Sequence, residues 1–362
     1  MTDAAPGLVW PRLLQWPSND ACIVYFDLNH WIYLAQRVRG RSDWVDAAFD
    51  ACRAAKARGA AVFVLSAIHY AEMLKIRDPK QRRAIADVME ELTDFATLVS
   101  RVVVMELEVD AVLDRISSHE ENRPSVALIG RGVRHAFGLQ SGLRIMGPTS
   151  DESVRVREQM GAVAFDEFVA KANLMLERGV LRGPTDDEVD GLRTLGWNPV
   201  EALKTAENRA AEERDQVGRL DADGGRWRRG RLRDVVAARE LLIEFKTILP
   251  RALADRRLSL EDVICDPRSA NAFVRAMPST EVSIQLKTAW HRNRYKGWTA
   301  NDIYDIDALA LAVPYCDVVV TEKACHHALT AAGVGRRMQT SILRDLRDLP
   351  ATLEQWKPAP VV

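Results

Sequence analysis

The chain has 362 residues, of which 47% are apolar and 28% charged, enough apolar surface for a full-sized core in an ordinary globular protein. Fifty basic residues stand against 51 acidic ones, leaving a net charge of −1. That balance excludes a partner held by bulk charge, so any electrostatic recognition must work through a local patch.

No run of about twenty apolar residues is present, so no membrane helix is expected. The opening MTDAAPGLVWPRLLQWPSND lacks a basic cluster leading into an apolar run, and no signal peptide is expected. Cys22, Cys52, Cys265, Cys316 and Cys325 are odd in number and widely spaced, with no CxxC pair. Free thiols in a reducing cytoplasm fit this usage better than a disulfide scaffold or a structural zinc site. Of the basic residues 40 are Arg and 10 Lys. Codon usage can produce that bias, and it also suits phosphate ligands, which the guanidinium fork grips bidentately.

CIVYF at 22–26 is a β-prone run ending at Asp27, and NHWIYLAQRV after it is apolar on a helical period. A helix is expected from Ser42 or Asp43 to Gly59, with Val45, Ala48, Phe49, Cys52 and Ala55 on one face. AVFVLS at 61–66 reads as a second strand, followed by a helix through Glu72 to about Ile76. A further helix near 80–97 leads to RVVVME, read as a third strand around 101–105. Apolar strands alternating with helices predict an α/β fold with a mainly parallel sheet.

The alternation stops near residue 110. From 111 to 285 only helical patterns stand out, broken at Gly147-Pro148, Gly183-Pro184 and Asp266-Pro267. The alternation then resumes with a helix near 302–313 stopped by Pro314, a strand DVVVT at 317–321, a helix at 323–332 and a strand near 338–343. The expected organisation is one α/β core formed by 1–110 and 286–362, interrupted by a mostly helical insertion at 111–285. The insertion would offer a surface for a protein partner or a second copy of the chain.

Acids without nearby bases point to the chemistry. No Lys or Arg lies between Leu13 and Gln36, around Asp27, or between Gly59 and Leu74, around Glu72. Between Gly297 and Glu322 stand Asp302, Asp305, Asp307, Asp317 and Glu322, again without a base. A buried carboxylate without a partner costs several kcal/mol or takes up a proton. Sites in open parallel sheets form at the carboxyl ends of the strands. If these acids converge there, a hard divalent cation with oxygen ligands is the natural counter-charge. Helical spacing ranks Asp305 first in its segment, with Asp302 as helper or N-cap, and turns Asp307 away from Asp305. Asp317 fits a turn better than a ligand role. Asp27 and Glu322 also fit as helix caps, and Glu72 also fits as the partner of a distant Arg. His30 and His69 read as satisfied, partly buried histidines.

DLNHW at 27–31, SAIHYAE with Glu72, and NDIYDIDALALAVPYCDVVVTEK together resemble a PIN-domain nuclease. The resemblance covers about 1–110 and 290–350. It implies an α/β/α sandwich whose sheet edge carries four acids holding Mg²⁺ or Mn²⁺, matched here by Asp27, Glu72, Asp305 and Glu322. Asn29, Ser66 and Thr321 would be supporting residues. The last acid is Glu where the family often has Asp, and the helical middle has no counterpart in the compact toxin-type members. A role in a toxin–antitoxin system or phage defence rests on family analogy alone.

Two basic clusters suit a nucleic-acid strand, with charges on phosphates and rings against bases. RWRRGRLR at 226–233 is one, and it fits equally well as a solvated helix face. KTAWHRNRYK at 287–296 precedes the acidic segment, and there Arg292, Arg294, Tyr295, Lys296 and the nearby Trp298 are the candidates for contact. No GxxxxGK[ST] loop, strand-linked GxGxxG or GxSxG elbow is present. The expected function is a metal-dependent endonuclease, of RNA rather than DNA. The alternatives are a DNA nuclease of the same chemistry and a non-catalytic binding or scaffold protein.

Overall fold

The computed structural model describes residues 7–18, 20–36, 43–117, 124–139, 144–194, 199–222 and 225–356. Strand β1 (Cys22–Phe26) is buried at every position and pairs in parallel with β2 (Ala61–Val64) on one side. β3 (Ala96–Leu98) extends the sheet beyond β2, because Leu65 donates to the Ala96 carbonyl at 2.9 Å and accepts from the Leu98 amide at 2.8 Å. On its other side β1 pairs with β4 (Val318–Val320), which pairs with β5 (Ser341–Leu343), both in parallel.

Helices α1 (Leu28–Ala35), α2 (Asp43–Ala57), α3 (Ala67–Met73), α4 (Pro79–Thr93) and α5 (Arg101–Ser117) fall in the first part of the chain. The middle carries α6 (Ala162–Arg182), α7 (Pro199–Ala222) and α8 (Leu232–Ile243), with shorter helices between them. The last part carries α9 (Pro278–Arg292), α10 (Ala300–Tyr315) and α11 (Lys323–Ala331).

Side-chain alternation sorts these helices into two layers. Ile23, Tyr25, Val64 and Val319 face a cluster built with α5, α9, α10 and α11. Val24, Phe26, Phe63, Val318 and Val320 face another, built with α1, α2, α4 and Leu349–Gln355. The chain is therefore an α/β protein whose parallel sheet is covered on both faces, as expected.

Three expectations are corrected. RVVVME does not form a strand but opens α5. Asp94 and Phe95 take φ of 47° and 59°, ending α4 and returning the chain to the sheet at Ala96, five residues earlier than predicted. Second, the middle contains strands: Val126–Ala127 pairs with Leu14–Gln15, and Ile129–Arg131 pairs antiparallel with β3. Third, Pro314 does not stop α10, which runs to Tyr315, because a proline in the last turn removes few helical bonds.

The boundaries expected at 110 and 285 fall inside α5 and α9. Ala206 and Ala210 of α7 join the cluster against the sheet, as does Val282 of α9. α8 and the helices Ile248–Asp255 and Pro267–Ala276 form a third cluster on Met105, Val109 and Val112 of α5. The helical middle thus shares its core with the sheet layers. Among the described residues no helix is long and apolar enough to cross a membrane.

Candidate active site

Asp27 ends β1 and Glu322 follows β4, so adjacent parallel strands deliver both to the same carboxyl edge. Asp27 caps α1: its Oδ1 accepts from the Asn29 amide at 3.1 Å and lies 2.7 Å from His30 Nδ1. Its Oδ2 accepts from the Glu322 amide at 2.9 Å, so one carboxylate ties together the starts of α1 and α11. Asn29 Nδ2 donates to Glu322 Oε1, fixing the second acid against the first. The cap reading and the site reading of Asp27 therefore hold together.

Glu72 projects from α3, which starts at Ser66 after β2. Ser66 donates its amide to His69 Nδ1 at 2.9 Å and lies 3.3 Å from the Tyr25 hydroxyl. His69 Nε2 donates to the Phe26 carbonyl at 2.7 Å, and burial pushes its pKa down to about 4, so the ring is neutral. His69 is thus a buried strut between the end of β1, where Asp27 sits, and the helix that carries Glu72. Thr321 is buried, and its amide continues the pairing of β4 with β5 through the Leu343 carbonyl at 2.9 Å.

Asp305 lies in the second turn of α10. Among the described residues its carboxylate makes no hydrogen bond or ion pair, and Lys75 is the positive charge that acts on it. Burial, and then the charges of Glu72, Asp27 and Glu322, raise its pKa to about 8. Glu72 rises to about 7, chiefly through burial, with Asp27 and Glu322 adding to the shift against the opposing charge of Lys75. Glu322 is raised by burial and by Asp27. The four acids therefore share one electrostatic field.

Lys75 is the residue that sequence reasoning passed over. Its Nζ lies 3.6 Å from Glu72, donates to Asn301 Oδ1 at 2.8 Å and sits 3.9 Å above the Tyr304 ring. The base-free segment around Glu72 ends one residue before it, and the i,i+3 spacing on a helical turn was the available signal.

The remaining acids are committed elsewhere. Asp302 forms a capping box with Thr299, accepts from Trp290 Nε1 at 2.8 Å and meets Lys296 Nζ at 2.5 Å. Asp307 points away from Asp305, as its spacing predicts, and is held by Arg101 at 2.6 Å and by Arg209. Asp317 precedes β4 and accepts from the Ile23 amide at 2.8 Å, at the opposite edge of the sheet from Asp27. Asp307 and Asp317 are therefore not free for a shared ion at the Asp305 end, whereas Asp302, though paired, adds its charge to Asp305 and Glu322.

The basic clusters are split. Arg292, Arg294 and Tyr295 are exposed, with Tyr295 87% accessible. Trp298 is only 1% exposed, its ring 4.8 Å from that of His291, so it belongs to the core and cannot stack a base. Lys296 is paired with Asp302. In the first cluster Arg228 holds Asp221 at 3.1 Å and the His291 carbonyl, and Arg233 holds Glu281 at 2.5 Å.

Carboxylate oxygens are the donors a hard cation prefers, and burial among like charges makes Asp305 hold its proton until a cation replaces it. Among the described residues, however, no group of three or more Asp, Glu, His or Cys side chains stands close enough together to hold a metal ion. A cavity of about 410 Å³ flanks the edge, lined by Asn29, His30, Tyr33, Trp44, Glu322 and Arg344 among others. Comparison with protein-family models, with curated proteins and with solved structures gives no match to this chain.

Proposed function

We propose that this chain is a metal-dependent endonuclease, acting on RNA, in the manner of the PIN-domain nucleases its sequence resembles. One observation carries the reading: four segments far apart in the chain bring Asp27, Glu72, Asp305 and Glu322 to one end of the sheet, and Asp305 has no partner there among the described residues.

Asp27, Glu72, Asp305 and Glu322 would hold Mg²⁺ or Mn²⁺. A bound cation of this kind activates water for in-line attack and offsets charge on the scissile phosphate and the leaving oxygen. His30 orients Asp27, and Asn29 orients Glu322. Lys75, 3.6 Å from Glu72, would compete with a bound cation for that carboxylate. The exposed Arg292 and Arg294 would meet strand phosphates, and the exposed Tyr295 would stack on a base.

Titration of Mn²⁺ and Mg²⁺ into mixtures with single- and double-stranded RNA and DNA tests this. RNA cleavage that EDTA abolishes and Asp27→Asn lowers by about 100-fold or more is expected, the scale of losing one charge-stabilising group in a site. Binding without cleavage under every metal would make the chain a scaffold. EDTA-resistant cleavage would remove the cation from the chemistry.

A further inference from the structure

A groove of about 970 Å³ runs between α9 and α11, and its lining includes Arg233, Thr288, Arg292, Lys296, His327 and Arg337. No Asp or Glu is among its lining residues. Beneath it lies Glu281, 1% exposed, gripped by Arg233 and Arg337 at 2.5 Å each and by Arg275 at 3.7 Å. Three guanidiniums crowd one buried carboxylate, with Asp234 as the other acid acting on Arg275, so positive charge is in excess. Their crowding shows in Arg275, whose pKa is lowered by burial and by the charges of Arg233 and Arg337. Glu281 also holds Arg233 and Arg337 in place, so a ligand meets ordered forks at reduced entropic cost.

A second observation points the same way. Thr288 is 4% exposed, its hydroxyl has no hydrogen-bond partner, and it lines the groove. Buried hydroxyls are normally satisfied, so this one keeps a donor to offer at the groove wall.

We infer that the groove is a binding site for a phosphomonoester, with the dianionic phosphate on Arg233 and Arg337 and an oxygen accepting from Thr288. A phosphomonoester carries about −1.5 to −2 at pH 7, which suits a cluster where guanidiniums outnumber carboxylates, and its terminal oxygens fit the guanidinium fork. The volume is at the upper end of small-ligand pockets. A free nucleoside monophosphate and the phosphorylated end of a nucleic-acid strand share this chemistry. Arg292 and Lys296 extend the groove toward the segment that leads to Asp305. The site does not depend on the nuclease reading.

Calorimetric titration of the full chain in EDTA, with cleavage silenced, tests the inference using a nucleoside 5′-monophosphate, the parent nucleoside and inorganic phosphate. The monophosphate is expected to bind, phosphate to compete, and the nucleoside to fail. Thr288→Val removes only an unpartnered hydroxyl, so folding is retained, and it should weaken binding about tenfold, as loss of a hydrogen bond to a charged group does. Arg337→Gln should weaken it by about tenfold or more. A 5′-phosphorylated oligonucleotide binding more tightly than its 5′-hydroxyl counterpart would identify a strand end as the source. Equal oligonucleotide binding alongside a tight monophosphate would identify a free nucleotide. Absence of monophosphate binding, or binding that Thr288→Val leaves unchanged, overturns the site.

Discussion

Asp305 and Asp307 are two residues apart on one helix, yet the fold treats them oppositely. Asp305 sits mainly among charges of its own sign, with Lys75 acting on it but no hydrogen bond or ion pair among the described residues, whereas Asp307 is gripped by Arg101 and Arg209. The sign of each effect on stability follows. A folded pKa near 8 against an ordinary carboxylate value means that the folded state binds the Asp305 proton more tightly than the unfolded chain. Its contribution is fully present below about pH 4 and is lost as pH rises toward 8. In EDTA, thermal melts between pH 5 and 8.5 should show stability falling with pH, Asp305→Asn should flatten that fall, and Mn²⁺ should offset it in the parent chain. Asp307→Asn should instead lower stability, on the order of 3 kcal/mol, because the partly buried Arg101 loses its charge partner and Arg209 is left with Glu244. Loss of stability for both variants alike would make Asp305 a structural residue.

At the scale of elements, the strands bearing Asp27 and Glu322 were legible because each is a dense apolar run followed at once by an acid. β3 was not legible, since three residues carry too little pattern, while the valines of RVVVME have strand propensity that burial on two faces of α5 overrides. The commitments of Asp302 and Asp317 were partly legible as a cap and a turn. The burial of Trp298 was not, because it depends on α7, distant in sequence, packing over the joint between α9 and α10. Contacts of α6 were equally hidden. Glu177 of α6 accepts from the Val133 amide through both oxygens, at 2.9 and 2.8 Å, and from the Tyr70 hydroxyl at 3.1 Å. Gly132 has φ +80°, and a Cβ there would sit 2.2 Å from Glu177 Oε1, so only glycine admits this approach. Glu177→Ala leaves a buried amide and hydroxyl unpaired, which should cost about 1–3 kcal/mol. Hydrogen exchange should show faster opening confined to 130–137 and α3. Unchanged protection at Val133 would show that α6 does not brace this corner.

For the whole molecule, the question is whether the helical middle is an insertion that could be removed. Its contacts argue that it is part of the core. Glu108 of α5, fully buried and with a pKa raised by burial to about 7, accepts from the Ser279 amide at 2.8 Å and from the Tyr315 hydroxyl at 2.6 Å. One carboxylate therefore joins α5, the start of α9 and the end of α10. Replacing 111–285 by a short linker would remove Ser279 from Glu108 and Arg209 from Asp307. It would also strip Ala206, Ala210 and Val282 from the layer over the sheet, and the whole α8 side from the outer face of α5. Each opened cavity and each unpaired buried charge is destabilising on the scale of the total stability of a domain. The shortened chain should therefore lack a cooperative thermal transition, whereas the full chain should melt with coincident far-UV and tryptophan signals. A cooperative, monomeric shortened chain would show that the two α/β segments form an independent core, and the acids at its edge could then be studied without the helices that cover them.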